Sequence, residues 1–124
     1  MSPQVKITVV GAGYVGMSLS VLLAQHNDVV VLDLDADRVN KINNKQSTVS
    51  DADINYFLEN IPLMLRATLD KGEAYQYADY IFVATPTDFN PETNYFDTSS
   101  VDQVVEDALA FNKQALVVIN SVSI

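Results

Sequence analysis

The chain has 124 residues, of which 48% are hydrophobic and 19% charged, with four Gly and four Pro. That is enough for one ordered domain around one core, and it excludes a disordered or collagen-like chain. A net charge of −9 excludes a nucleic-acid partner held by clustered Lys and Arg. The absence of Cys excludes disulfides, thiolate metal sites and a cysteine nucleophile among these residues.

No apolar run approaches the length of a bilayer span and none reads as a secretory signal, so a cytoplasmic protein with no membrane partner is expected. Residues 1–4 read as a short disordered start. Residues 5–10 form an uninterrupted, mostly β-branched run, the pattern of a parallel strand buried on both faces. A helix over 14–25 follows, with Val15, Leu19, Leu22 and Leu23 on one stripe and Gly16 and Ser20 allowing close approach. Residues 29–33 are the second strand. Asp35 caps a short helix over 36–42, which Asn43 and Asn44 end. Ser50 and Asp53 resemble a capping box opening a helix to about residue 58.

A short third strand lies within 63–69, and Asp70 caps a helix through residue 77. Residues 80–84, Tyr-Ile-Phe-Val-Ala, are a strong fourth strand. Residues 85–97 read as a polar loop with two Pro. Thr98 or Ser99 caps a helix over 101–111, with Val101, Val104, Val105 and Ala108 at helical spacing. Residues 115–119 are a fifth buried strand. This alternation predicts an α/β fold, a Rossmann-type doubly wound parallel sheet of about five strands in the order 3-2-1-4-5 with right-handed crossovers.

Gly11-Ala12-Gly13-Tyr14-Val15-Gly16 lies directly between the first strand and the first helix, and Asp33 closes the second strand. A glycine motif alone is weak; strand before, helix after and an acid after the next strand together point to dinucleotide binding. Gly11 permits the tight turn, Gly13 leaves the backbone open to a pyrophosphate, and Gly16 lets the helix pack on the sheet. The helix N-terminus offers N–H groups to phosphates, and Asp33 can accept the adenine ribose hydroxyls. Asp33, Asp35 and Asp37 together favour NAD over NADP, whose 2′-phosphate would meet like charge.

The stretches Val-Val-Gly-Ala-Gly-Tyr-Val-Gly, Val-Leu-Asp at 31–33, Ala-Thr-Leu-Asp at 67–70, Ala-Thr-Pro-Thr-Asp at 84–88 and Asn94-Tyr95-Phe96-Asp97-Thr98 resemble the UDP-glucose 6-dehydrogenases of the shorter bacterial type. The resemblance covers roughly residues 5–121. It implies an NAD-binding domain spanning 1–124, ending before a sixth strand and without the substrate domain. In that family a UDP-sugar alcohol is oxidised to the acid in two NAD-dependent steps, with a Cys nucleophile, a Lys and an Asn on a later domain. None of these maps here, so no catalytic residue is assigned, UDP-glucose is a partner of the intact enzyme only, and this chain alone is expected to be inactive.

The resemblance carries over cofactor contacts. Tyr14 and Val15 match backbone N–H positions at the pyrophosphate, and Asp33 matches the ribose carboxylate. Arg38 matches a basic position near the adenosine, although an exposed residue pairing with Asp35 or solvent reads equally well. Thr85, Pro86 and Thr87 match the loop lining the nicotinamide side, and Ser121 completes the cofactor-binding set. The exit of the fifth strand departs from the family's Lys-Ser-Thr and reads Asn120-Ser121-Val122.

His26 suits the end of the first helix rather than catalysis. Tyr56, Phe57, Tyr75, Tyr77, Phe82 and Phe111 read as core. Asp88, Glu92 and Asp97 read as solvated loop charges, and no metal-ligand spacing is present. A stand-alone nucleotide sensor, another UDP-sugar dehydrogenase and a methyltransferase remain competing readings, with Gly16 against the last. The fifth strand is apolar and free of Pro, so self-association through its edge is expected.

Overall fold

The computed structural model describes residues 5–84, 88–90, 95–97 and 99–119. Five parallel strands form the sheet: β1 (Lys6–Val10), β2 (Asp28–Leu32), β3 (Leu65–Thr68), β4 (Tyr80–Val83) and β7 (Leu116–Ile119), in the order β3-β2-β1-β4-β7. The expected 3-2-1-4-5 order is therefore observed, with β7 as the fifth sheet strand. The helices are α1 (Tyr14–Leu23), α2 (Ala36–Asn43), α3 (Ala52–Asn60), α4 (Lys71–Tyr75) and α5 (Ser99–Phe111). Among the described residues no helix is long and apolar enough to cross a membrane.

The central strands send alternate side chains to opposite faces, as the pleat requires. Val9, Val29 and Val31 join Met17 and Val21 of α1, Val39 and Ile42 of α2, and Ile54 and Leu58 of α3 in one core layer. Val10, Val30, Leu32 and Ile81 join Ala74 and Tyr75 of α4 and Ala108 of α5 in the other. Thr8 is the polar exception in β1. It is buried, and its hydroxyl is satisfied by donating to the Ala74 carbonyl of α4.

Several local expectations change. The buried face of α1 is Gly16, Met17, Ser20 and Val21, whereas Leu22 is 63% exposed. The close approach of Gly16 and Ser20 is as expected, and of the expected stripe Val15 and Leu23 pack against the core. Leu22 instead borders a shallow groove between α1 and α3 with Tyr14 and Phe57. The cap of α3 is Asp51, whose side chain accepts from the Ile54 N–H at 3.0 Å, and not Ser50. The first helix ends at Leu23 and α4 at Tyr75, both shorter than expected.

Within the predicted 85–97 loop, β5 (Asp88–Asn90) and β6 (Tyr95–Asp97) pair antiparallel as a separate two-stranded ribbon. Of the aromatics expected in the core, Tyr75 is buried in one layer, and Phe57 and Phe82 pack against the other. Tyr56, Tyr77 and Phe111 are exposed. They sit at helix ends or outer faces, where a ring can be only partly covered. Strand β7 pairs with β4, and its Leu116 and Ile119 side chains are exposed, so it is less buried than its composition suggests. Thr98 lies outside the described residues.

The opposite edge, β3, carries a specific seal. The carbonyls of Met64 and Thr68 accept from β2 and from Asp33 beyond it, which turns the Ala67 peptide groups outward. The Asn43 side chain meets them: the Ala67 N–H donates to Oδ1 at 2.9 Å and Nδ2 donates to the Ala67 carbonyl at 3.1 Å. Asn43 thus stands in for one residue of a missing neighbouring strand. Asn43→Ala is expected to lower stability by about 1–3 kcal/mol, the range for leaving partly buried backbone groups unmet. A denaturant midpoint unchanged from the wild type would contradict this.

Candidate functional site

The three motif glycines have three different reasons. Gly11 turns the chain off β1 with φ 103°, a backbone conformation that side chains disfavour. Its N–H donates to the Leu32 carbonyl at 2.9 Å, tying the turn to the exit of β2. Gly16 is held by packing. A Cβ there would lie 1.8 Å from the Gly11 carbonyl oxygen and 3.6 Å from Ala84 Cβ. The close approach expected between α1 and the sheet is therefore mainly an approach to the motif's own turn.

Gly13 is required by neither argument. Its φ of −80° is ordinary, and a Cβ on it would meet nothing within 4 Å. It caps α1 without any side-chain hydrogen bond. The first-turn N–H groups that a side-chain cap would satisfy find no acceptor among the described residues. The space over Gly13 is thus open at the positive end of a helix.

Asp33 leaves the end of β2 with its side chain only 10% exposed. Its Oδ2 accepts from the Ala12 N–H at 2.8 Å and its Oδ1 from the Asp35 N–H at 2.9 Å. Each carboxylate oxygen has a second lone pair, so the group is oriented by the protein and still able to accept two donors from outside. Asp35 caps α2 by accepting from the Asp37 N–H at 2.9 Å, as expected.

Arg38 pairs with both acids, 3.6 Å from Asp33 and 4.0 Å from Asp35. It is half exposed, and such a pair contributes little to stability, so its guanidinium is free to be recruited by a ligand.

These groups share one cleft of about 420 Å³ at the carboxyl ends of β1, β2 and β4. This is where strand order reverses and where open α/β sheets bind ligands. Gly11, Ala12, Gly13, Asp33 and Arg38 form one side. Val10, Leu32 and Val104 supply apolar surface. Lys71 and Asp107 close the far wall with a 2.8 Å ion pair between α4 and α5, and the Gln103 amide donates to the same carboxylate at 3.0 Å. The hydrogen bond from Lys71 holds the Asp107 carboxyl below its ordinary range. Tyr75, 1% exposed, underlies the cleft. Burial, helped by the Asp107 charge, pushes its hydroxyl up to about 12, so it stays neutral.

The Tyr14 side chain is exposed on the α1–α3 groove and Val15 packs against the core. Neither residue lines the cleft, so the backbone contacts expected of them rest on the motif alone. Thr85, Pro86, Thr87 and Ser121 lie outside the described residues. The charged far wall was not anticipated, because Lys71 and Asp107 are 36 positions apart and no spacing rule joins them. His26 is exposed in the turn after α1, away from the cleft lining.

An acid that can accept from a diol, free N–H groups at a helix start and an uncovered Gly13 between them suit a nucleotide diphosphate. Comparison with known proteins agrees. Residues 5–124 match the model of the UDP-glucose/GDP-mannose dehydrogenase family, NAD binding domain. The UDP-glucose 6-dehydrogenase of Streptococcus pneumoniae is 42% identical over 116 residues, covering 94% of this chain and 29% of that protein. That of Campylobacter jejuni is 40% identical over 119 residues, covering 94% and 30%.

Among solved structures, the UDP-N-acetyl-mannosamine dehydrogenase of Staphylococcus aureus superposes with a TM-score of 0.82 at 26% identity, over 94% of this chain and 28% of that one. A UDP-glucose dehydrogenase from Pyrobaculum islandicum gives 0.84 at 22% identity over 97% and 29%, a likeness of fold alone. The chain spans less than a third of the length of the curated relatives it matches. On its glycine turn, its acid at the end of β2 and this match over nearly its whole length, the chain belongs to the UDP-glucose/GDP-mannose dehydrogenase family, as its NAD-binding domain.

Proposed function

We propose that residues 1–124 are the NAD-binding portion of a cytoplasmic UDP-glucose 6-dehydrogenase, whose intact form oxidises UDP-glucose to UDP-glucuronate in two NAD-dependent steps. The sugar follows the two curated relatives at 42% and 40% identity. A different UDP-sugar is the second reading, favoured by the 26% identical N-acetyl-mannosamine enzyme. The observation that carries the cofactor site is the open space over Gly13 beside a preoriented Asp33. NAD, when bound, supplies the hydride acceptor.

The chain's own residues bind and orient it. Asp33 accepts from the adenine ribose hydroxyls through its remaining lone pairs. Gly11 shapes the turn, and Gly13, Tyr14 and Val15 present backbone N–H groups to the pyrophosphate, with Gly16 keeping α1 close behind them. Arg38 covers the adenosine. Thr85, Pro86 and Thr87 are assigned to the nicotinamide side, and Ser121 is assigned to the cofactor-binding set.

Titration of NAD and NADP against the protein tests this reading. NAD is expected to bind more tightly, because Asp33 accepts from a 2′-hydroxyl and repels a 2′-phosphate. In Asp33→Asn the discrimination should shrink by roughly 1–3 kcal/mol, the order of a hydrogen bond to a charged group. Equal affinities in the wild type would sink the assignment. Turnover of UDP-glucose against UDP-N-acetyl-mannosamine by the intact enzyme decides the sugar.

A further inference from the structure

Thr48 lies between α2 and α3, 36 positions from the glycine turn, and its hydroxyl donates to the Ala12 carbonyl. Ala12 is thereby pinned at both ends, because its N–H donates to Asp33 Oδ2 at 2.8 Å. The neighbours of Thr48 hold it in place. Ser47 Oγ donates to the Val49 carbonyl at 2.6 Å and accepts from the Val49 N–H at 3.1 Å. Val49 packs against the core layer under α1 and α3.

The peptide between Ala12 and Gly13 is the one this bond controls. It is trans, so its C=O and N–H point in opposite directions. With the carbonyl fixed on Thr48, the Gly13 N–H is turned away from the α2–α3 segment. A glycine at 13 makes rotation of this peptide cheap, since no Cβ restricts φ. Unanchored, the carbonyl could swing round and present its negative end where an anion must lie.

We propose that Thr48 is a positioning residue for the cofactor diphosphate: its hydroxyl locks the Ala12–Gly13 peptide with the N–H toward the phosphate path. The inference rests on the NAD reading above and adds a residue outside the glycine motif to the phosphate site.

The test uses the intact protein and two probes. ADP-ribose carries the diphosphate without nicotinamide; adenosine engages Asp33 and the adenine side without any phosphate. Thr48→Val keeps the shape and removes the hydroxyl, and Thr48→Ser restores it. Thr48→Val should weaken ADP-ribose binding by about three- to tenfold, the effect of one net hydrogen bond. Adenosine affinity, read by ligand-observed NMR, should not change, and Thr48→Ser should bind both probes like the wild type. Unchanged ADP-ribose affinity in Thr48→Val overturns the proposal. So does an equal loss for adenosine, which would make Thr48 a support of the whole cleft.

If Thr48→Val fails to fold, Thr48→Ala is compared with Thr48→Ser, and equal ADP-ribose affinity in those two overturns it. A wild-type protein that binds neither NAD nor ADP-ribose would instead remove the NAD reading, and the role of Thr48 with it.

Discussion

Gly13→Val is expected to abolish NAD binding and leave the domain folded. The separation is possible because nothing in the protein needs a glycine there. The φ of −80° suits any residue, and a Cβ meets no atom within 4 Å. The added isopropyl group would stand in the space over the first turn of α1, where the diphosphate must pass. Two hydrogen bonds from backbone N–H groups to a charged acceptor, at about 1.5–3 kcal/mol each, would be blocked together, a loss of at least about a hundredfold in affinity. The cost to the fold is confined to replacing Gly by a β-branched residue at a helix N-cap, on the order of 1 kcal/mol. Calorimetric titration with NAD, beside a thermal melt, reads both quantities. A variant that binds NAD normally would place the site elsewhere in the molecule.

Much of this was legible from the sequence because the strongest signals were local. The apolar runs gave the strands, and the placement of Gly11, Gly13, Gly16 and Asp33 relative to two of them gave the cleft. What was misread has a common cause. In α1 the predicted stripe of Val15, Leu19, Leu22 and Leu23 holds at Val15 and Leu23, which pack against the core, and fails at the exposed Leu22, because a helix that must lie close to a sheet turns its small residues inward. Gly16 already named that face, and Ser20 and Ala24 follow it at intervals of four. The seal of Asn43 on Ala67 and the bond from Thr48 to Ala12 join residues 24 and 36 positions apart. No periodicity reaches that far, and a polar residue in a turn looks the same whether it caps its own helix or anchors a distant peptide.

Gly16→Ala is expected to fail in the opposite way to Gly13→Val, losing the fold rather than only the ligand. On helix propensity alone the substitution should stabilise α1 by about 1 kcal/mol, so the sign of the effect is itself the test. The new Cβ would lie 1.8 Å from the Gly11 carbonyl oxygen and 2.9 Å from its carbon, well inside contact distance. The turn has little freedom to yield. Gly11 is fixed at φ 103° with its N–H on Leu32, and Ala12 is held by Asp33. The helix would therefore have to lift, drawing Met17, Ser20 and Val21 out of a core in which Met17 and Ser20 are fully buried. Overpacking of a rigid site costs about 3 kcal/mol or more, a large share of the stability of a domain this size. Denaturant unfolding followed by near-ultraviolet circular dichroism would register the loss, with Gly13→Ala, expected to cost no more than about 1 kcal/mol as a weaker N-cap, as the control. A Gly16→Ala protein as stable as the wild type would mean that α1 does not approach the glycine turn as closely as described, and the geometric sorting of the three glycines would fall with it.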